Sequence, residues 1–360
     1  MRLRLGVVLL LATLTGCESL GYYRQGIAGQ IAFYGAREPI AKVLARDDLS
    51  ADERRRLEQV PQILAFARDE LAMPVKGQYR DYVRLEQPAV AWTVYAAPEL
   101  SFVPYRWCYF FRALCMEYRG YFALADAQAH AAKLAARGYD THIGGVAAFS
   151  SLGLLDDPMT SVLTAYHDDL MTSVLIHELA HAVLYVKDDT PFNESFATAV
   201  AGEGLRRWLA RHGGADAAGG SAVVAAWQAD QQALTAAALA IRAQLMDLYA
   251  SPLDDGEKRA RKRDILDAAA ETYLAHCAGV PGATCRARDW FGAGLNNARL
   301  NAVATYESWV PAFAALIRAH DGDMGGFYDT VREMGTMPRP ARDRLLRAML
   351  APEAVQETAP

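Results

Sequence analysis

The stretch Val174-Leu-Ile-His-Glu-Leu-Ala-His-Ala-Val-Leu-Tyr185 places His177, Glu178 and His181 inside an apolar run. The run contains no Pro or Gly and is long enough for about three helical turns, so it predicts a helix. Side chains four residues apart share a helix face, and both histidines can therefore direct a ring nitrogen at one zinc ion. Glu178 lies near the edge of that face, where a general base can reach a metal-bound water.

An alternative interpretation is that the two histidines are surface residues of an ordinary helix. The flanking side chains argue against it, because they make the helix apolar nearly all round and such a helix is buried. A buried His–Glu–His cluster needs a partner to offset its desolvation. We therefore expect a catalytic zinc site, which has three protein ligands and one water.

The third ligand is sought on a second helix. Lys187–Pro191 is predicted to end the first helix, with Thr190 as the N-cap of the second and Pro191 at its first position. The second helix should run to about His212, before a Gly-Gly pair. It offers two acids, which lie nine residues apart and therefore on opposite faces at about 100° per residue.

Glu194 is the predicted third ligand. It lies about four residues into the second helix, which matches the depth of His181 in an antiparallel helix pair. The other acid, Glu203, lies too deep along the helix. The alternative role for Glu194 is a first-turn acid that complements the helix dipole. Asn193, directly before it, is predicted to support the ligand.

His177-Glu-Leu-Ala-His181, the segment Tyr185–Thr190 and Asn193-Glu-Ser-Phe-Ala197 together resemble the predicted zinc aminopeptidase family of bacterial lipoproteins. Its members resemble the gluzincins, zinc peptidases whose third ligand is a Glu on the helix after the His-Glu-x-x-His helix. The resemblance implies an α+β, mainly α-helical fold with a small mixed or antiparallel sheet beside the zinc helix. It also implies a peptide substrate and aminopeptidase activity.

The beginning of the chain is typical of an exported protein. A short basic segment precedes the apolar run Leu5–Leu14, which is too short to span a bilayer and suits a signal-peptide core. Leu14-Thr-Gly-Cys17 resembles a bacterial lipobox, in which Cys17 carries the lipid. Because Glu18 follows, we expect a lipid anchor in the outer membrane, facing the periplasm. The alternative is an ordinary secretory signal with an incidental Cys.

The remaining chain is predicted to form one metallopeptidase unit after a signal peptide of residues 1–16. Residues 17–72 should be helical, 73–170 should contain the sheet, and 171–360 should hold the zinc-site helices and a helical C-terminal part. The net charge of −5 and the mixed charge around the basic cluster at 258–263 argue against nucleic-acid binding. The sequence identifies no protein partner.

Four cysteines remain once Cys17 is assigned to lipid. An even number in an oxidising periplasm predicts two disulfides, and the sequence allows three connectivities. The simplest pairing is local, Cys108–Cys115 and Cys277–Cys285.

Strands are predicted at Tyr79–Leu85, Val90–Tyr95 and Val146–Leu152. The last should lie beside the zinc helix, and by resemblance to gluzincins Ser150, Ser151 and Leu152 should line the cleft and pair with substrate backbone. Asp156 and Asp157 follow this strand. In one interpretation they bind an ammonium group of the substrate, and in the other they cap a turn before Pro158.

Three further residues are site candidates in sequence that again resembles the family. Asn296 and Asn297 are predicted to hydrogen-bond a peptide backbone, and Tyr306 to donate to the oxyanion of the reaction. The alternative is helix capping by the asparagines and a core position for the tyrosine. Upstream, Ala222–Tyr249 and Gly256–His276 are predicted to form a helical hairpin.

Two other functions fit the same residues. One is an endopeptidase with the same site and an open cleft. The other is a non-enzymatic, peptide-binding envelope lipoprotein whose zinc is structural. Glu178 argues against the second, since a structural zinc site needs no base.

Overall fold

A computed structural model describes residues 20–109, 114–148, 155–212, 217–278, 290–291 and 294–350. They form a mainly helical α+β fold with small sheets, as the sequence predicts. The helices are α1 (residues 20–35), α2 (Ile40–Leu44), α3 (Ala51–Asp69), α4 (Leu124–Ala135), α5 (Asp168–Val183), α6 (Thr190–His212), α7 (Ala217–Ala250), α8 (Asp255–Ala278), α9 (Asn297–Glu307), α10 (Val310–Ala319), α11 (Met324–Thr336) and α12 (Arg339–Leu350). The strands are β1 (Glu38–Pro39), β2 (Asp81–Val83), β3 (Ala91–Pro98), β4 (Trp107–Tyr109), β5 (Leu114–Met116), β6 (Tyr118–Tyr121), β7 (Tyr139–Val146) and β8 (Met159–Thr160).

The strands form a mixed sheet in the order β1-β2-β8, an antiparallel sheet in the order β6-β3-β7, and the hairpin β4-β5. Side chains alternate across β3. Val94 and Ala96 face α4, where they pack with Ala131 and Leu134. Tyr95, between them, therefore faces the opposite side of the sheet.

A row of aromatic side chains crosses that opposite side. Tyr95 is directly paired with Tyr118 of β6 and with His142 of β7. Directly paired residues of antiparallel strands share a face. The ring centroid of Tyr95 lies 5.6 Å from that of Tyr118 and 6.1 Å from that of His142. We call these three residues the aromatic row.

Helices α5 and α6 pack against each other in the largest hydrophobic core. Ile176 of α5 and Phe196 of α6 are fully buried there. Gly204 lets α6 approach closely, because a Cβ at this position would come within 2.9 Å of Ile176 and Leu71. Helices α10 and α11 cover the other side of α6, with Phe313 5.9 Å from Phe196 between ring centroids.

The predicted helical hairpin is confirmed as α7 and α8, which pack on each other and, through a separate cluster, on α9. Lys262 of α8 joins this hairpin to the antiparallel sheet. Its Nζ donates to Asp140 Oδ2 at 2.6 Å and to the carbonyl of Glu99 at 2.7 Å. No helix in the described ranges is both long and apolar enough to cross a membrane.

Of the strand predicted at Val146–Leu152, only Val146 is in a strand, as the last residue of β7, and residues 147 and 148 are not. Strand β7 therefore begins earlier in the chain than predicted and includes Gly144-Gly145. A Cβ at Gly145 would come within 3.1 Å of both Ala89 and Trp92, so close packing accounts for this glycine. Residues 149–154 lie outside the described part of the chain.

The local disulfide Cys108–Cys115 is confirmed, and it joins directly paired residues of β4 and β5. The backbone N–H of Cys115 also donates to Asp188 Oδ1 at 3.1 Å, which fastens this hairpin to the connection between α5 and α6. The predicted pair Cys277–Cys285 and the lipidation site Cys17 lie outside the side chains that the structure describes.

Candidate metal centre

His177 and His181 lie one turn apart on α5. Their rings meet edge to face, with centroids 5.0 Å apart, as the four-residue spacing predicts. Their side chains are 17% and 9% exposed. Both imidazoles are therefore largely shielded from solvent.

Asn193 fixes the connection between the two site helices. Its Oδ1 accepts a hydrogen bond from the N–H of Val186 at 2.8 Å, and its Nδ2 donates to the carbonyl of Val186 at 2.7 Å. Asn193 is also fully buried. It was predicted to support Glu194, and it does so by holding the connection against the first turn of α6.

Helix α6 begins at Thr190, and Asp189 caps it. The carboxylate of Asp189 accepts from the N–H of Phe192 at 3.4 Å. The sequence prediction of Thr190 as the N-cap was therefore one residue too late. The second carboxylate oxygen of Asp189 accepts two hydrogen bonds from Arg342 of α12, one of them from Nε at 3.1 Å. This interaction favours Asp189 over Thr190 as the capping residue.

Glu194 completes a cluster with the two histidines. Its Oε2 lies 3.3 Å from Nε2 of His177 and 3.5 Å from Nε2 of His181. One potential ligand atom from each residue lies within 4.8 Å of the others, so the three could hold a metal ion. These are the three ligands predicted from the sequence. The rejected acid, Glu203, instead pairs with Arg206 and Arg207.

The electrostatics of the cluster keep the carboxylate ionised. Burial alone would raise the pKa of Glu194, but hydrogen bonds from His177 and His181 outweigh it and lower the pKa to about 2. Burial would likewise lower the pKa of His181, yet its hydrogen bond with Glu194 raises it. A metal ligand must be deprotonated, and Glu194 meets that condition across the physiological range.

Glu178 lies buried beside the cluster. Burial raises the pKa of its carboxyl group, and the negative charges of Glu194 and Asp157 raise it further. The positive charges of His177 and His181 oppose this shift and do not cancel it. A carboxyl group whose pKa is raised towards neutrality is suited to both taking up and releasing a proton.

Asp157 lies near Glu178 but is held within the fold. It is 4% exposed, its Oδ1 accepts from the hydroxyl of Tyr34 at 2.5 Å, and its carbonyl accepts from the N–H of Tyr79 at 2.7 Å. Asp156 is exposed. Of these two acids, Asp157 is close enough to act on the pKa of Glu178, but its contacts favour a structural role over the binding of an ammonium group.

Three tyrosines lie near Glu194: Tyr95 and Tyr118 of the aromatic row, and Tyr306 of α9. The charge of Glu194 is the largest cause that raises the pKa of Tyr306. Burial is the largest cause that raises the pKa of Tyr95, to about 12, and it is also the largest cause that raises the pKa of Tyr118. The charge of Glu194 raises both pKa values further. Tyr95 and Tyr306 also act on each other, since Tyr306 lowers the pKa of Tyr95 and Tyr95 raises the pKa of Tyr306. The ring of Tyr306 also lies over His177, with centroids 6.2 Å apart.

Tyr306 was predicted for the site, but Tyr95 and Tyr118 were missed. Tyr95 was placed in the predicted strand Val90–Tyr95 with no role in the site, and Tyr118 was not among the site candidates. The signal was present in the alternation of Val90–Tyr95, which sets Tyr95 on the face opposite to Val94. The pattern does not show which of the two faces lies towards the cluster of His177, His181 and Glu194.

One further carboxylate near the cluster was also missed. Burial raises the pKa of Glu307, which follows Tyr306, and the charge of His177 lowers it. No spacing in the sequence marks Glu307 as functional. Burial also raises the pKa of Glu117, which precedes Tyr118, but the charges that oppose this shift most are those of Arg339 and Arg106.

Asn296 and Asn297 make hydrogen bonds within the fold, and Asn296 has the capping role that the sequence analysis gave as its alternative. Asn296 caps α9, with its Oδ1 accepting from the N–H of Arg299 at 3.0 Å. Asn297 is fully buried, and its Nδ2 donates to the carbonyls of Pro98, Glu99 and Ser101. The predicted cleft residues Ser150, Ser151 and Leu152 lie outside the described chain.

Comparison with known proteins gives one family. No curated protein and no solved structure matches the chain. A family model described as "Putative aminopeptidase" matches residues 21–346, which include every residue of the metal cluster. The match covers most of the sequence, and the chain therefore belongs to this family of peptidases.

Proposed function

We propose that this protein is a zinc-dependent aminopeptidase that acts on peptides in the bacterial periplasm. One observation carries the proposal: two histidines and a glutamate meet in a buried cluster, with the carboxyl group of Glu178 beside them. The family supplies the reaction class, since its description is that of an aminopeptidase.

The donor set fits zinc. Two imidazole nitrogens and one carboxylate oxygen are a frequent ligand set of catalytic zinc sites, which leave a further position for water. Nδ1 of His181 is buried and makes no hydrogen bond among the described residues, while its Nε2 faces Glu194. Nε2 is therefore the nitrogen of His181 that would hold the ion, and the Nε2 of His177 faces Glu194 in the same way. A bound zinc ion would lower the pKa of a water molecule and polarise the carbonyl of a substrate.

The chain's own residues supply the proton transfers. Glu178 accepts the proton of the attacking water on its carboxylate, and it then gives that proton to the amine of the leaving product. The raised pKa of Glu178 supports the second half of this role, because a weaker acid holds the proton until the amine needs it. The hydroxyl of Tyr306 donates to the carbonyl oxygen as negative charge develops there.

The proposed location rests on two features. Leu14–Cys17 resembles a lipobox, so the proposal includes a lipid on Cys17 and attachment to the outer membrane. The Cys108–Cys115 disulfide supports an oxidising compartment, where such bonds persist.

The test uses one peptide with a free N-terminus and the same peptide acetylated, each incubated with the zinc-loaded protein and analysed by mass spectrometry. Stepwise loss of single residues from the free peptide alone is the expected result. Internal cleavage of both forms would replace the aminopeptidase by an endopeptidase with the same centre. Zinc binding without cleavage of a peptide library would overturn the enzymatic proposal in favour of a peptide-binding envelope protein.

A further inference from the structure

Helix α1 has one face packed on the protein and the opposite face uncovered. The packed face contacts the β5–β6 region. Gln25 exchanges hydrogen bonds with the backbone of Gly120 and Phe122, and a Cβ at Gly29 would come within 2.1 Å of the Phe122 ring. Tyr22 lies under the guanidinium group of Arg119 at 3.8 Å. The helix therefore lies flush on the body of the protein, and its rotation about its axis is fixed.

The uncovered face is apolar. Leu20, Ile27 and Ile31 are 70%, 62% and 68% exposed. At about 100° per residue these three positions fall within about 40° of each other and about 180° from the centre of the packed face. Along the axis they span about 16 Å at 1.5 Å per residue. Tyr23, at the edge of this stripe, is also exposed.

The charged side chains in and directly after α1 are all positive. Residues 20–37 contain Arg24 and Arg37 and no acidic side chain, although the whole chain is acidic. Arg24 is exposed and lies about 40° from Leu20 around the helix axis, beside the apolar stripe. An apolar face flanked by a basic side chain is the pattern of a helix that lies in the surface of an anionic bilayer.

Distance along the chain limits what can cover the stripe. Cys17 precedes Leu20 by three residues, which reach at most about 10 Å when extended. A lipid on Cys17, as proposed above, would hold the start of α1 within that distance of the bilayer. A second copy of the chain is a weaker candidate, because three side chains expose on the order of a few hundred Å², below the roughly 800 Å² that each partner of a stable dimer buries.

We propose that the Leu20–Ile27–Ile31 face of α1 docks on the surface of a bilayer that contains anionic phospholipid. The lipid on Cys17 and the helix face then act as two anchors. Single lipid chains bind membranes only marginally, and a second contact makes the attachment stable and sets its orientation. The proposal rests on the lipidation of Cys17 and is independent of the peptidase activity.

The test places a photoreactive phenylalanine analogue at position 27 or 31 of the full-length chain, in a bacterium that processes lipoproteins. Position 103 is the matched control, since Val103 is 70% exposed and lies outside α1. Illumination of intact cells is followed by mass analysis of the adducts. Phospholipid adducts at 27 and 31 should exceed those at 103 by at least about tenfold, the ratio expected if about 1.4 kcal/mol favours the membrane-facing side.

A crosslink from position 27 or 31 to a second copy, to another protein or to residues 1–16 in place of lipid would overturn the proposal. Equal lipid labelling at 27 and 103 would also overturn it. A second variant tests the face itself: Ile31→Glu should reduce lipid labelling at position 27 at least about fivefold, and Val103→Glu should not. Both substitutions are at exposed positions, so the thermal unfolding midpoint should hold. None of these readouts uses peptide cleavage, so failure here leaves the enzymatic proposal standing.

Discussion

Asp189 and Arg342 form a buried ion pair although they are 153 residues apart in the sequence. Their side chains are 2% and 4% exposed. Asp189 caps the helix that carries Glu194, and Arg342 belongs to α12, the last helix described. The position of a metal ligand therefore depends on a side chain from the other end of the fold.

Replacing Arg342 by Met should lower the free energy of unfolding by about 3–5 kcal/mol, because it removes the buried cation and leaves only the more distant, half-exposed Arg339 to offset the buried charge of Asp189. Urea unfolding measures the change. Arg339→Met is the matched control: Arg339 lies 3.8 Å from the same carboxylate, but its side chain is 45% exposed. Its loss should cost less than about 1 kcal/mol. Equal effects of the two substitutions would contradict a special role for the buried pair.

Glu178→Gln should keep the metal and lose hydrolysis. The amide preserves the size of the side chain but accepts no proton, so kcat should fall by about 10²–10⁴-fold. Metal content, measured on the purified variant, should equal that of the wild type. Glu203→Gln serves as the control, because Glu203 pairs with arginines outside the cluster and should leave kcat unchanged. An active Glu178→Gln protein would remove this residue from the mechanism.

Glu307→Gln should weaken zinc binding, because it removes a negative charge that interacts electrostatically with His177, a proposed ligand. Competition with a chromogenic chelator gives the affinity. Glu117→Gln is a matched control, because Glu117 is a similarly buried acid whose main charged neighbours are arginines. The assignment fails if both variants lose zinc equally.

Tyr306→Phe should lower kcat by about 10²–10³-fold with little change in KM, because the lost hydroxyl acts on charge that develops only in the transition state. Tyr328→Phe is the control, since its buried hydroxyl makes no hydrogen bond among the described residues and lies on α11. If Tyr306→Phe changes KM alone, the hydroxyl binds the ground state and does not stabilise the oxyanion.

His142 should make stability depend on pH. Burial is the main cause that lowers its pKa to about 4, and the charge of Arg299 adds to it. In the unfolded chain the pKa is near 6.5, so between pH 6.5 and 4 the unfolded state binds a proton that the folded state does not. The free energy of unfolding should therefore fall by about 2–3 kcal/mol over this range.

Replacing His142 by Phe removes this contribution. At pH 7.5 His142 is neutral in both the folded and the unfolded wild-type protein. Urea unfolding of the wild type and the variant at this pH therefore gives the difference in stability that comes from packing alone. At pH 4.5 the variant should gain stability relative to the wild type by about 2–3 kcal/mol beyond that difference. An unchanged difference between the two pH values would show that His142 is protonated in the folded state.

The cluster of His177, His181 and Glu194, which could hold a metal ion, could be predicted from sequence because helix geometry is local. A four-residue spacing fixes the relation of His177 to His181, and a short connection limits where Glu194 can lie. The hairpin of α7 and α8 was predicted for the same reason, since its helical pattern is long and its turn is marked by Pro and Gly.

The rest of the site depends on contacts between distant segments. Tyr118 reaches Glu194 only because β6 pairs with β3, and no local pattern specifies that register. The role of the Asn297 carboxamide was left open because its partners, the carbonyls around Glu99, lie some 200 residues earlier in the chain. The sequence did not place Gly144-Gly145 in a strand, and the close approach of Trp92 that accounts for Gly145 is visible only in the folded sheet.

The ion pair of Asp189 with Arg342 also bears on the order of events as the chain folds. Arg342 follows Asp189 by 153 residues, so a chain that enters the proposed periplasmic location from its N-terminus presents Asp189 before Arg342. Until Arg342 arrives, the histidines and Glu194 are present, but the helix that carries Glu194 lacks the cation that neutralises its cap. We expect a firmly held metal only after the last helix has docked, which makes metal loading a late step in the maturation of the protein.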